Sequence, residues 1–326
     1  MARFAPRPAV ALASLLIAAA CGGETSDAPP SEASVEEALP PAPVGIVVAD
    51  AGFMTPESIL HETGSDVYLV SNINGAPLDA DGDGFISRVS PEGEVLELKW
   101  IDGEAEGVTL NAPKGMAITG GTLWVSDIDC VRRFALDTGA PEGEVCIDGA
   151  SFLNDLAPHP NGTDVILTDS GLDATFAATG RDAVYHVTAD GYAAIVADPE
   201  MGAPNGVAVV EGDALVVTFM SGQVYRISEG DTQAAGGLPG EAPQSAMMEI
   251  LSVEGGQLDG VEVLADGRVL VSNWATSCVH LLDRDGTLTC AMPNLDAPAD
   301  IGFDAARGHV LVPLFNANEL RFIPLG

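Results

Sequence analysis

Short apolar runs alternate with polar and turn residues along the chain from about residue 45 to its end. Alternation with a period of two is typical of half-buried β-strands, and the Gly, Asp and Pro residues between the runs predict turns. The runs recur in six imperfect units, which open with TPESILHE, APKGMAIT, FLNDLAPH, APNGVAVV, QLDGVEVL and APADIGFD. Each opening leads into a second and a third strand, and often into a fourth. Six units of four short antiparallel strands predict an all-β fold, the six-bladed β-propeller.

The two ends of the repeat predict how the ring closes. The last unit stops after its third strand, whereas an additional apolar segment, GIVVAD at residues 45–50, precedes the first unit. We expect this segment to pair with the last unit, which removes an exposed sheet edge. The innermost strands of a propeller line its central channel. The position after each opening Pro or Leu therefore predicts a ring of side chains at one mouth: Glu57, Lys114, Asn154, Asn205, Asp259 and Ala299.

Four members of this ring offer oxygen ligands, namely Glu57, Asn154, Asn205 and Asp259. Such a set favours a hard cation, and Ca²⁺ takes six to eight oxygens from carboxylates, amide carbonyls and water. Two negative charges would leave the ion positive enough to polarise an ester carbonyl or to acidify water. The alternatives are a channel filled by polar side chains and ordered water, or an ion that only ties the blades together.

A wider ring is predicted at the same mouth, because an antiparallel second strand ends where the first began. Its members are polar residues at the ends of the second strands: Asn72, Asp127, Asp169 and Asn273. We expect Asp127 and Asn273 to contact a substrate. Lys114 has two interpretations, since it either neutralises neighbouring carboxylates such as Asp127 or steadies an anionic substrate or a developing oxyanion.

The charge of the chain limits its partners. It carries 48 acidic residues against 13 basic ones, for a formal net charge of -35. A polyanion repels phosphates and anionic lipid surfaces, so nucleic acid and polybasic membrane docking are excluded. Apolar residues make up 47% of the 326 residues, enough for a packed core rather than a disordered acidic chain. We expect a monomer with a small-molecule partner.

The N-terminal segment has the features of an export signal. Arg3 and Arg7 precede an apolar stretch at residues 9–20, which is too short for a stable membrane span. The stretch ends before Cys21 and resembles a bacterial lipoprotein signal at residues 1–21, with Cys21 as the lipidated residue. An ordinary secretory signal is the alternative. We expect lipid anchoring in the cell envelope, on the periplasmic side of the outer membrane in a diderm cell.

Two further boundaries follow the signal. Residues 22–43 are rich in Pro, Ser, Ala and Glu and hold almost no large apolar side chain, which predicts a disordered tether. The propeller is expected to occupy residues 44–326. Membrane contact would then be limited to the lipid on Cys21.

The remaining cysteines agree with export to an oxidising compartment. The cysteines form two local pairs, and each pair brackets a predicted hairpin with a Gly-containing turn, in the segments CVRRFALDTGAPEGEVC and CVHLLDRDGTLTC. Facing positions of an antiparallel pair can bring cysteines within bridging distance. The sequence therefore predicts the disulfides Cys130–Cys146 and Cys278–Cys290. Four reduced, buried thiols are the alternative.

The motifs PES, LND, PNG and LDG, set on six repeats, resemble the SMP-30/gluconolactonase family over roughly residues 45–326. The resemblance implies one Ca²⁺, or Zn²⁺ or another divalent ion, in the channel, held by Glu57, Asn205 and Asp259. It implies that Asn154 joins the site or contacts the substrate. The implied reaction is hydrolysis of a lactone or related ester, with Asp259 as general base.

The chain departs from the family pattern at two positions. Phe152 stands where gluconolactonases commonly have an Arg that holds the polar groups of a sugar, and the first motif reads ESI from Glu57 where EGP is usual. Phe152 favours a more apolar lactone or ester. The alternative function is a non-catalytic propeller of the NHL type, which would bind a ligand or protein partner and keep a structural ion.

An acidic segment, DADGDGFIS from Asp79 to Ser87, resembles a calcium loop in its first positions. Position 12 is Ser90 in place of Glu and flanking helices are not expected, which excludes an EF-hand. The segment is predicted as an acidic hairpin tip, with an auxiliary Ca²⁺ at Asp79–Asp83 as the alternative.

Overall fold

A computed structural model describes residues 45–229 and 246–326, and all of its regular secondary structure is β. The predicted signal at 1–21, the lipidation at Cys21 and the predicted tether at 22–43 lie outside these residues. Among the residues described, no helix has the length and apolar character needed to cross a membrane.

Twenty-four strands form six four-stranded antiparallel sheets, which confirms the six-bladed propeller. Strand β1 spans Ile46–Val48. Blade 1 contains β2 (Pro56–Glu62), β3 (Val67–Asn72), β4 (Phe85–Val89) and β5 (Val95–Asp102), and blade 2 contains β6 (Pro113–Thr119), β7 (Thr122–Asp127), β8 (Cys130–Ala135) and β9 (Pro141–Cys146). Blade 3 contains β10 (Leu153–Pro158), β11 (Val165–Asp169), β12 (Ala183–Thr188) and β13 (Gly191–Ala197), and blade 4 contains β14 (Pro204–Val210), β15 (Asp213–Thr218), β16 (Gln223–Ser228) and β17 (Ala246–Ser252). Blade 5 contains β18 (Leu258–Val263), β19 (Val269–Asn273), β20 (Cys278–Leu282) and β21 (Leu288–Pro293), and blade 6 contains β22 (Gly302–Asp304), β23 (His309–Leu314) and β24 (Glu319–Pro324).

The ring closes as the count of strands predicts. Strand β1 pairs with β24 as the outer strand of blade 6, with Ile46 opposite Phe322 and Val48 opposite Leu320. The first and last segments of the propeller therefore share one sheet. The side chain of Val48 is buried in the cluster that contains Phe322 and Leu320, so closure also buries apolar surface.

The core consists of apolar layers between successive blades. In the layer between blades 3 and 4, Ile166, Val184 and Ile195 pack against Val207 and Val216. Each of these side chains is at least nine-tenths buried. Burial of one such side chain contributes about 1.5–3 kcal/mol before the entropy of ordering is subtracted. Similar clusters lie between other pairs of blades and hold the inner strands in place around the channel.

Both predicted disulfides are present. Cys130 and Cys146 are facing residues of β8 and β9, with sulfur atoms 2.05 Å apart. Cys278 of β20 and Cys290 of β21 have sulfur atoms 2.00 Å apart. Each bridge therefore joins the two outer strands of a single blade, as the hairpin argument expects.

A β-bulge follows the first residue of the inner strand in each of blades 1 to 5. In blade 1, residues 56 to 59 of β2 lie opposite residues 72 to 70 of β3, which leaves one extra residue in the inner strand. Equivalent register shifts follow Pro113, Leu153, Pro204 and Leu258. A bulge turns a side chain away from its regular direction. Here it occurs at the positions predicted to form the inner ring.

Candidate functional site

Four side-chain oxygens meet at one mouth of the channel. They belong to the second residues of the inner strands of blades 1, 3, 4 and 5, and these residues line a common cavity of about 210 Å³. All four residues are at least nine-tenths buried. Within the described ranges, one oxygen of each has no hydrogen-bond partner: Glu57 Oε2, Asn154 Oδ1, Asn205 Oδ1 and Asp259 Oδ1. We call this group the floor of the cavity.

Unpaired buried acceptors are rare because each loses its hydration without compensation. The orientation of Asn154 is fixed by its neighbour, since its Nδ2 donates to Ser170 Oγ over 3.0 Å. The Ser170 hydroxyl in turn donates to the carbonyl of Pro204 over 2.7 Å. Ser170 therefore accepts from the amide nitrogen, which leaves the oxygen of Asn154 unpaired on the cavity side.

Two carboxylates of the floor are poorly suited to carry charge without a cation. Burial, followed by the charges of Asp259 and Asp300, raises the pKa of Glu57 well above its ordinary value. Burial and then Asp300 likewise raise the pKa of Asp259, against a lowering by the indole of Trp274. The indole nitrogen itself is buried and has no hydrogen-bond partner in the described chain.

Asp300 lies directly behind the floor. Its backbone N–H donates to the carbonyl of Glu57 over 2.9 Å, and its carboxylate accepts from Ser58 Oγ over 2.5 Å. Burial raises the pKa of Asp300 to about 7. The floor and its support thus concentrate carboxyl groups that are largely buried. Two carboxylates and two amide oxygens in such a place fit a hard divalent cation, with Ca²⁺ as the best match.

Lys114 occupies the second position of the ring and is 1% exposed. Its Nζ donates to the carbonyl of Ala112 over 3.0 Å and lies 4.9 Å from the centre of the Phe152 ring. Burial lowers the pKa of Lys114 to about 8, although the charges of Glu57 and Asp127 oppose this change. The lysine lines the cavity and partly balances the floor, so its placement is compatible with both interpretations made from the sequence.

The wider ring has a different position from the one expected of substrate-binding residues. Asp127 accepts the backbone N–H groups of Asn111 and Ala112 and the Nε of Arg132. Asn273 donates to the carbonyl of Gly256 and accepts from the N–H of Thr276. Neither Asp127 nor Asn273 is among the residues that line the cavity. The same is true of Asn72 and Asp169, which bind the backbone of the loops that lead into the inner strands.

Sequence reasoning missed the wall of the cavity. The residue after the end of the second strand lines the cavity in five blades: Ile73, Ser170, Phe219, Trp274 and Phe315. Successive residues of an extended chain point in opposite directions, so the residues that follow Asn72, Asp169 and Asn273 of the wider ring face the cavity. Phe152, predicted as a substrate contact, also lines it, together with Leu172 and Phe176 from the loop between β11 and β12.

A cluster of His159, His186 and Glu229 lies away from the cavity, at the opposite end of β10 from Asn154. Glu229 accepts from His159 Nε2 over 2.8 Å and from His186 Nδ1 over 2.9 Å. The two imidazole rings are stacked, with centres 4.2 Å apart and planes 13° apart. A ligating imidazole keeps its metal near the ring plane, and two stacked planes offer no shared position. We therefore interpret this cluster as a hydrogen-bonded contact between blades 3 and 4.

The acidic segment Asp79–Asp83 lies in the loop between β3 and β4. Partial burial and the neighbouring Asp81 raise the pKa of Asp83. In the part of the chain that the structure describes, the carboxylates of this loop do not converge as three ligand atoms within 4.8 Å. The auxiliary Ca²⁺ stays a prediction.

Comparison with known families gives one match. The model of the SMP-30/gluconolactonase/LRE-like region matches residues 90–307, which is about two thirds of the chain. No curated protein sequence matches.

Several solved structures are similar to this chain over most of the length of both proteins. A gluconolactonase from Xanthomonas campestris is 18% identical with a TM-score of 0.57, covering 88% of this chain and 99% of its own. A regucalcin from Agrobacterium tumefaciens, described as a calcium-binding protein, is 15% identical with a TM-score of 0.63, covering 86% of this chain and 93% of its own. A luciferin-regenerating enzyme is 14% identical with a TM-score of 0.64, covering 87% of this chain and 96% of its own. At these identities the structures support the fold alone.

Proposed function

Because the chain belongs to the SMP-30/gluconolactonase/LRE-like family, we propose that it is a divalent-cation-dependent hydrolase of a lactone or a related carboxylic ester. The observation that carries the proposal is the floor, where four buried oxygens from four blades have no partner in the described chain. A scaffold alone gains nothing from unpaired acceptors, since each one opposes folding.

The floor residues would hold the ion, with Ca²⁺ as the favoured cation and Zn²⁺ as the alternative. Glu57 and Asp259 would supply charge, and Asn154 and Asn205 would supply amide oxygens. A bound divalent cation polarises a carbonyl group and lowers the pKa of water.

Asp259 is the proposed general base. It lines the cavity beside the other floor residues, so its carboxylate would be placed to accept a proton from the water that adds to the substrate carbonyl. In hydrolysis, the oxygen of water adds to the carbonyl carbon and the ring C–O bond breaks. The proton that Asp259 removes from water passes to the oxygen that leaves. The positive charge of Lys114 would stabilise the negative charge that develops on the substrate oxygen.

The test is hydrolysis of a panel of sugar, aliphatic and aryl lactones, followed with a pH indicator, after chelation and after Ca²⁺ is restored. We expect turnover to disappear with the chelator and to return with Ca²⁺. Asp259→Asn should lower kcat by at least about 100-fold, the lower limit for loss of a general base. Asp190→Asn makes the same chemical change on the exposed turn between β12 and β13 and should leave turnover unchanged.

Two results would contradict the proposal. Turnover that survives chelation would show that the reaction does not need a cation bound by the floor residues. An absence of turnover across the panel, combined with a higher melting temperature in Ca²⁺, would favour the other candidate, a non-catalytic propeller with a structural ion.

A further inference from the structure

Aromatic rings form most of the wall above the floor. The ring of Trp274 lies 5.7 Å from that of Phe219 and 5.1 Å from that of Phe315, measured between ring centres. These three residues follow the second strands of blades 4, 5 and 6 and form one aromatic arc. On blade 3, Phe152 and Phe176 have ring centres 6.0 Å apart. All five line the cavity.

The wall is supported by apolar packing behind it. Phe152, Leu172 and Ala203 form a buried cluster, against which Leu78 and Phe219 pack. Leu78 belongs to the loop between β3 and β4, so the cluster joins blades 1, 3 and 4. Side chains held in this way cannot easily turn aside to admit polar groups of a ligand.

The wall has few polar groups that could form hydrogen bonds with a ligand. The hydroxyl of Ser170 already accepts from Asn154 and donates to the carbonyl of Pro204. Lys114 uses one N–H on the carbonyl of Ala112 and faces the ring of Phe152. Trp274 Nε1 lines the cavity and has no partner in the described chain, and Lys114 Nζ keeps N–H groups beyond the one that it donates to Ala112.

The apolar wall should change the binding free energy of polyhydroxylated and hydrocarbon-bearing substrates in opposite directions. A hydroxyl group that loses water against phenyl rings costs about 1–3 kcal/mol when it stays unpaired. Hydrocarbon in the same place gains about 25 cal/mol for each Å² removed from water. A polyhydroxylated lactone would place several hydroxyls against the arc, whereas an alkyl or aryl group would bury its surface there.

We infer that the substrate carries a large hydrocarbon or aromatic group on its lactone ring or ester, and that the aromatic wall selects it over sugar lactones. This inference rests on the proposed function. The carbonyl would face the floor, and the apolar group would lie against Trp274, Phe315 and Phe152. Trp274 would act as a specificity-determining residue, because it belongs to the wall and also approaches Asp259.

The first test compares kcat/KM for δ-decalactone and glucono-δ-lactone, with Ca²⁺ present. We expect at least a 100-fold preference for the alkyl lactone, the scale on which a well-fitted apolar pocket discriminates. A preference for the sugar lactone would overturn the inference and leave the proposed function standing. Hydrolysis of neither compound, nor of any other lactone in the panel, would instead count against the proposed function.

The second test measures binding without catalysis, in the full chain after chelation. δ-Decalactone should quench tryptophan fluorescence, and Trp274→Phe should remove most of the quenching. Trp124→Phe is the matched control, because Trp124 is buried in the core between blades 2 and 3 and does not line the cavity. Phe315→Ser should weaken binding at least about tenfold. Equal affinity of Phe315→Ser and wild type, or equal quenching by the sugar lactone, would overturn the inference.

Discussion

The change Asp259→Asn should alter stability in opposite directions without and with calcium. It removes one charge from the floor and keeps the volume of the side chain. In the metal-free protein the pKa of Asp259 is raised above its unfolded value, so the folded state keeps a proton where the unfolded state has lost it. Stability is therefore lost as pH rises from about 4 through the raised pKa. The asparagine variant avoids this loss at neutral pH.

The size of the effect can be bounded from the structure. A buried charged group without a partner costs at least about 1–3 kcal/mol. For a domain of this size, each kcal/mol moves the melting temperature by about 2–4 °C. Asp259→Asn should thus melt about 2–12 °C above wild type in chelator at pH 7. Calcium at a thousand times its Kd should stabilise wild type by about 4.1 kcal/mol, and the variant should lose most of that gain.

The assay is a thermal melt of both proteins, in chelator and in excess Ca²⁺, with the exposed Asp190→Asn as the control. The order of melting temperatures should reverse between the two conditions, and the difference in chelator should shrink towards pH 4. A variant that melts below wild type in chelator would refute the argument from buried charge. A variant that gains as much from Ca²⁺ as wild type would refute the assignment of Asp259 as a ligand.

Three other features of the molecule give predictions. The pKa of Lys114 in the folded protein is about 8, below its value in the unfolded chain. The melting temperature of wild type should therefore rise relative to that of Lys114→Met between about pH 8 and 10. A difference in melting temperature that stays constant with pH would contradict this. Val48→Asp buries a charge at the ring closure and should cost about 3 kcal/mol or more in urea unfolding, whereas Val47→Asp, on a side chain that is 50% exposed, should change stability by less than about 0.5 kcal/mol. Replacing both Cys130 and Cys146 by Ser opens a 16-residue loop and should cost about 3 kcal/mol; an unchanged unfolding midpoint would contradict the stabilising role of the bridge.

The fold could be predicted because its signal is repeated six times. A single strand with alternating residues is ambiguous, but the recurrence of opening, turn and second strand fixes the number of blades. The missing strand of the last unit also had one plausible source, residues 45–50, and β1 occupies that place. The family resemblance made from the same motifs is confirmed by the match over residues 90–307.

The floor could be predicted for a related reason. In blades 1 to 5 the aligned position after the opening residue falls on the β-bulge, so Glu57 and Asp259 reach one cavity although they lie far apart in sequence. Their unpaired oxygens, by contrast, cannot be derived from sequence, because hydrogen bonding depends on neighbours such as Ser170.

The wall could not be predicted from the same alignment. The sequence predicts that Asp127 and Asn273, at the ends of two second strands, contact a substrate, but the carboxylate of Asp127 accepts backbone N–H groups and neither residue lines the cavity. The alternation of side chains turns the following residue, such as Trp274, towards the cavity. Phe176 comes from a loop without a counterpart in most blades, so no repeat could reveal it.

Terbium luminescence tests the central claim, a cation on the floor beside Trp274, most directly. Tb³⁺ occupies calcium sites and emits when a nearby excited indole transfers energy to it. Excitation of tryptophan should give Tb³⁺ emission that Ca²⁺ displaces, that falls sharply in Trp274→Phe but not in Trp124→Phe, and that disappears in the double variant Glu57→Gln/Asp259→Asn. Emission that persists in the double variant, or that does not depend on Trp274, would place the cation elsewhere and contradict the account.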